Sequence, residues 1–181
     1  HFQNNNEKSK EQHLQALHYA RLTKDSLTLG RSLMLSGIFA FIEQQMDSSV
    51  QYFLQSADLF TKIGRLKNAA TAMSKVGNIY EGQGNYAAAT PIFKQYLTTA
   101  QQARDTFLLM TAYINLAGNA YNLRHYPEAL GHANLACEFA ASVKRDFEYQ
   151  KALELKSLIY EGMDKPKEAL QILRQYVQHH D

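Results

Sequence analysis

KVGNIYE at 75–81 and LAGNAYN at 116–122 repeat one phrase, a glycine followed at once by asparagine and three residues later by tyrosine. LSGIFAF at 35–41 and LKSLIYE at 155–161 carry weaker copies, so that Gly37, Gly77, Gly118 and Ser157 superpose with steps of 40, 41 and 39 residues. A fixed period of this length marks stacked structural repeats and changes the meaning of every other residue. A second landmark keeps the same beat. Lys24-Asp25, Gly64-Arg65, Arg104-Asp105 and Arg145-Asp146 recur at 40, 40 and 41 residues. At three of these sites an aspartate, Asp25, Asp105 or Asp146, is placed to accept from the free N–H groups of a helix's first turn.

Each period holds a second break, at Gln45-Met46-Asp47, Gln83-Gly84-Asn85, Arg124 to Pro127 and Gly162 to Pro166, all rich in turn formers or helix-starting proline. Each unit therefore reads as two helices. The pairs fall at 25–64, 65–104, 105–145 and 146–181, and 7–24 supplies the second helix of a preceding, truncated pair. This gives one all-α domain of about nine helices over 1–181, read as a piece of a longer protein because both ends lie within helical pattern. Met73, Gly77 and Tyr80, then Ile114, Gly118 and Tyr121, then Leu153, Ser157 and Tyr160 follow the i, i+4, i+7 stripe of a buried helix face. A glycine inside a helix costs roughly 1 kcal/mol relative to alanine, so its recurrence predicts close approach of the partner helix.

Composition agrees. The 181 residues are 45% hydrophobic with 3 prolines and 9 glycines, which suits helix and a sizeable core. The 19 basic and 17 acidic residues are interspersed and give a net charge of +2, without the basic field that a phosphate backbone or anionic membrane attracts. The 11 tyrosines and 9 phenylalanines stand mostly at repeat core positions and read as core rather than as base-stacking platforms. No apolar run approaches the roughly 18 residues that cross a bilayer, so no membrane insertion and no nucleic-acid partner is expected.

Gly77, Tyr80, Gly84, Tyr86, Ala89 and Phe93 in the second unit resemble the tetratricopeptide repeat. Leu116, Tyr121, Tyr126, Ala129 and Ala136 continue the likeness in the third unit, and Tyr160, Pro166 and Ala169 in the fourth. The first unit departs, with Ala40 for the tyrosine and Ser49 near the alanine position. The usual period is about 34 residues; a period near 40 is similar to the long-helix variant of peptide-sensing bacterial regulators and of spindle-orientation and motor adaptor proteins. The resemblance implies a right-handed α-solenoid of antiparallel helix pairs whose first helices line a concave groove, and a protein-binding scaffold, the sensing module of a larger regulator.

One residue beyond the core stripe, the first helices present Met34, Ile38 and Phe41; Ser74, Asn78 and Glu81; Asn115, Asn119 and Asn122; and Glu154, Leu158 and Glu161. Asparagine offers both donor and acceptor, so Asn78, Asn115, Asn119 and Asn122 are expected to grip the backbone of an extended peptide or a helix. Glu81 and Glu154 lie on the same stripe, and Lys75, Arg31 and Lys151 stand near it as partners for carboxylates. Met34, Ile38 and Phe41 form a candidate apolar pocket or self-association patch, because the first helix of unit one is apolar nearly all round. The alternative reading is thus a structural solenoid that binds copies of itself.

No catalytic constellation is found. His13 and His18 are five apart, His125 and His132 seven apart, and His179-His180-Asp181 ends the chain, so no histidine pair has the i, i+4 spacing of a helical zinc site. Cys137, the single cysteine, lies in LACEFAA and reads as a small buried thiol. No metal, cofactor or enzymatic activity is expected.

Overall fold

The computed structural model describes residue 15 and residues 17–178. The predicted helix at 7–24 is described over 17–23 (α1); residues 7–14, with His13, and the terminal His179, His180 and Asp181 lie outside the described residues. Eight further helices follow: α2 (Ser26–Ile42), α3 (Met46–Lys62), α4 (Leu66–Gly82), α5 (Tyr86–Ala103), α6 (Thr106–Asn122), α7 (Tyr126–Ser142), α8 (Asp146–Gly162) and α9 (Pro166–Gln178). Among the described residues there is no strand. The all-α pattern of helix pairs expected from the sequence is what stands.

The period is stricter in the backbone than in the side chains. First helices start at Ser26, Leu66, Thr106 and Asp146, and second helices at Met46, Tyr86, Tyr126 and Pro166, forty residues apart in every case. The turns explain why. Lys24, Gln44, Gly64, Gly84, Arg104, Arg124, Lys144 and Asp164, spaced by twenty, all have positive φ. One residue later the chain N–H donates back to the carbonyl five before it: Gln45 to Ala40 at 2.8 Å, Arg65 to Phe60 at 2.8 Å, His125 to Ala120 at 2.9 Å, Lys165 to Tyr160 at 2.9 Å. This bond satisfies a carbonyl that the ending helix leaves free and turns the chain back sharply. Two of the eight positions are glycine, which adopts positive φ without the roughly 1–2 kcal/mol that a side chain adds there.

Side-chain caps start several helices. Asp25 accepts from the N–H groups of Leu27 at 3.1 Å and Thr28 at 3.2 Å, Asn85 from Ala88 at 3.2 Å, and Asp105 from Leu108 at 3.1 Å. Asp146 does not cap, contrary to expectation. The strict beat puts Arg145 in the N-cap place and Asp146 inside the first turn of α8, where its charge still faces the helix's positive end.

Two compact units divide the chain, 1–79 and 80–181, with the boundary inside α4. In the first, α2 and α3 pack as an antiparallel pair. Ser49 Oγ donates to the Gly37 carbonyl at 2.7 Å, and Ser56 Oγ to the Gly30 carbonyl at 2.8 Å, so residues rising on one helix meet residues falling on the other. Phe53 and Phe60, fully buried, lie flat against the two glycines; a Cβ on either would stand 2.8 Å from a ring carbon. Close helix approach is therefore the reason for glycine at position 37, as predicted.

In the second unit, α5 to α9 pack each on the next, and α6 also touches α8. Ala129, Ala133, Ala136 and Ala140 form a wholly buried spine on α7, small enough to bring α6 and α8 close. Met110, Ile114, Ala152, Leu153 and Ile172 fill the space around its lower half, and Ala117, Ala120 and Ile159 the upper. Ser157 Oγ donates to the Ala169 carbonyl at 3.4 Å. That pair stands three periods after Gly37 and Ser49, with donor and acceptor helices exchanged. Cys137 is buried in the lower cluster, and burial pushes its thiol up, away from the reactive thiolate.

Candidate functional site

Within the second unit, the last turn of α4 and the facing sides of α6 and α8 enclose a groove of about 330 Å³. Its lining is Glu81 from α4; Ile114, Asn115 and Gly118 from α6; and Lys151, Glu154, Leu155 and Leu158 from α8. Ile114 and Glu154, Asn115 and Leu155, and Gly118 and Leu158 each stand one forty-residue period apart. The groove is thus made by equivalent positions of successive first helices, held at this distance by the alanine spine behind them. Four of the predicted residues, Glu81, Asn115, Lys151 and Glu154, come together here.

Asn119 does not belong to the groove. It is 2% exposed. Its Nδ2 donates to Thr90 Oγ1 at 2.7 Å, and the Thr90 hydroxyl donates to the Tyr86 carbonyl at 3.0 Å, so the amide ties α6 to α5. The reason is a slip of register in reading the third unit. Matching Gly118 to Gly77 takes a step of 41, whereas the helices start forty apart, which makes Ala117 the counterpart of Gly77 and turns Gly118 one position further round. Asn119 then falls on the buried face. Asn122, the last residue of α6, is exposed and not among the groove's lining residues. The predicted ladder of asparagines is therefore reduced, in this unit, to Asn115.

Gly118 itself departs from the expectation of close helix approach. A Cβ built on it meets nothing within 4 Å. No packing neighbour accounts for the glycine; what its missing side chain does is leave the groove floor open. Gly118 and Leu155 as lining residues were not foreseen from the sequence, and the signal that finds them is distance from the preceding turn rather than the glycine-tyrosine motif.

The other predicted residues lie in the first unit. Arg31, Lys75 and Asn78 are exposed there, and Met34 is half-buried. On α2, Ile38 and Phe41 are joined by Leu35 and Ile42, 38%, 49%, 47% and 66% exposed respectively, so four large apolar side chains face outward.

Charge in the groove is uneven. Glu81 and Glu154 face one cation, Lys151. Burial pushes the Glu81 carboxyl above the usual carboxylate range, and the Lys151 charge pulls it partly back. Among the described residues no ion pair engages Glu81 or Glu154, and no group of His, Cys, Asp or Glu is arranged to hold a metal ion. Among them, too, no helix is long and apolar enough to cross a membrane.

Residues 28–102 match the family model of the tetratricopeptide repeat, so the likeness carried by Gly77, Tyr80, Gly84 and Ala89 lies within recognised repeats. No curated protein matches the sequence. Among solved structures the chain is similar to BtubC from P. vanneervenii, with a TM-score of 0.84, 14% identity, and 96% of this chain and 72% of that one covered. It is also similar to a signal transduction ATPase with numerous domains and a tetratricopeptide repeat sensor from Pyrococcus horikoshii, with a TM-score of 0.79 and 18% identity over 95% of this chain and 27% of that one. A third is a Rap protein complexed with competence and sporulation factor, with a TM-score of 0.70 and 16% identity over 90% of this chain and 51% of that one. At these identities the likeness is one of fold.

Proposed function

We propose that this chain is a non-catalytic protein-interaction module whose second unit holds an extended peptide, or one face of a helix, in the groove between α6 and α8. The observation that carries the reading is Gly118. A helix-interior glycine costs about 1 kcal/mol relative to alanine; no neighbour lies within 4 Å of the place its side chain would take, and that place is the floor of a groove with polar and apolar walls. Access for a ligand's backbone explains what packing does not. The fold supports the same reading, since one of the similar structures is a Rap protein complexed with competence and sporulation factor.

The test selects binders to the full chain from a random-peptide display library and titrates them against two variants. Gly118→Ala should melt higher, by up to about 1 kcal/mol of stability. Gly118→Leu should stay folded and bind selected peptides at least about tenfold more weakly, a loss of about 1.4 kcal/mol. Unchanged affinity of every selected peptide for Gly118→Leu removes the reading.

The exposed side chains of Leu35, Ile38, Phe41 and Ile42 favour a second use, association of the first unit with a second copy through α2. Sedimentation velocity over a concentration series should then show a dimer that Ile38→Lys dissolves. A monomer at every concentration rules this out.

A further inference from the structure

Resting on the groove reading, we infer that the occupant of the second-unit groove presents a cationic side chain, arginine or lysine, between Glu81 and Glu154. The groove carries two carboxylates and one ammonium, so its local charge is negative although the chain as a whole is +2; the sign belongs to the site and not to the composition. The two acids stand on different helices, Glu81 at the end of α4 and Glu154 on α8, with the hollow bordered by both. Among the described residues no ion pair engages either carboxylate. Glu81 is half-buried and has lost part of its hydration while Glu154 is exposed, and a cation with hydrogen-bond donors restores what burial removed at Glu81.

The walls fit the rest of such a side chain. Ile114, Leu155 and Leu158 offer apolar surface for the aliphatic stem of arginine or lysine, which covers apolar neighbours while its head stays among polar groups. Gly118 leaves room for the peptide backbone beside α6, and the Asn115 amide stands on the same wall to bond it. Lys151 lines the same groove. It is the charge that Glu81 senses, so a peptide cation competes with it rather than cooperating.

That competition gives variants of opposite sign. For groove-dependent peptides, meaning selected peptides that Gly118→Leu weakens, Glu81→Gln and Glu154→Gln should each weaken binding about tenfold, a loss of about 1.4 kcal/mol, and Lys151→Gln should tighten it. Replacing the peptide's arginine by citrulline, neutral and nearly isosteric, should weaken it to a similar degree. Thermal melts separate binding from folding: the Glu81 carboxyl is raised by burial, so its charged form opposes folding above that raised pKa and the opposition fades as pH falls through it. Glu81→Gln should accordingly melt no lower than the parent at neutral pH. Groove-dependent peptides that are neutral or acidic, that ignore Glu81→Gln, or that weaken on Lys151→Gln overturn the cation while the groove reading stands. If no selected peptide depends on Gly118, both fall together.

Discussion

Truncating Phe60 to alanine should lower the stability of the chain by about 4 kcal/mol, near the upper part of the range for buried aromatic residues. The ring is fully buried, and the surface it covers is Gly30, with ring carbons 2.8 to 3.1 Å from where a Cβ would stand. A cavity closes only if neighbouring side chains can swing into it, and at this place the facing wall has no side chain to swing. The Ser56 hydroxyl, bonded to the Gly30 carbonyl, also holds the two backbones at their present distance. A double-mutant cycle makes the test sharper. Gly30→Ala alone should be destabilising by about 1–2 kcal/mol, because the new methyl has to push a buried ring. With the ring gone, the same change should be neutral or stabilising by up to about 1 kcal/mol through helix propensity. Urea titration of the four proteins measures the coupling, and simple additivity would show that ring and glycine do not share one space.

Leu153→Ala should cost about 3 kcal/mol. Leu153 is 1% exposed and packs with Met110, Ile114 and Ile172 around Ala136 and Ala140. The alanines cannot extend into the space it leaves, and Ile114 is shared with the groove, so relaxation toward the void would also displace a groove wall. The variant should therefore lose stability and groove binding together, whereas Glu81→Gln loses binding alone. A loss under about 1 kcal/mol in urea titration would contradict a tightly filled cluster, given the range for buried leucine.

The helix count and the pairing could be read from residue types because turns, caps and buried stripes leave local marks: Asp25 and Asp105 cap as expected, and Gly37 meets Phe53 where a close approach was inferred. The groove was legible only in part. Glu81, Asn115, Lys151 and Glu154 were picked out by polarity on the face next to the core stripe. Asn119 was picked out by the same rule and is buried, since in the third unit Ala117 and Ala120 take the places that glycine and tyrosine hold in the second, and the familiar motif recurs one residue late. A motif match locates a residue along the chain to within one position, while the face of a helix that a residue occupies changes completely over that interval. The turns locate it without that error, but six of the eight carry residues such as Lys144 or Gln44 that do not announce positive φ.

The even spacing of those turns makes the chain sensitive to length in a way that ordinary loops are not. Removing a single residue between Arg104 and Gly118 would rotate the remainder of α6 by about 100° relative to its start, carrying Asn119 into the opening that Gly118 now leaves and the exposed Asn122 into the half-buried place of Tyr121. Insertions and deletions in relatives of this protein should consequently be confined to whole helices or whole pairs, and a homologue that has gained or lost one amino acid inside a helix should display a different binding specificity even where its composition is unchanged.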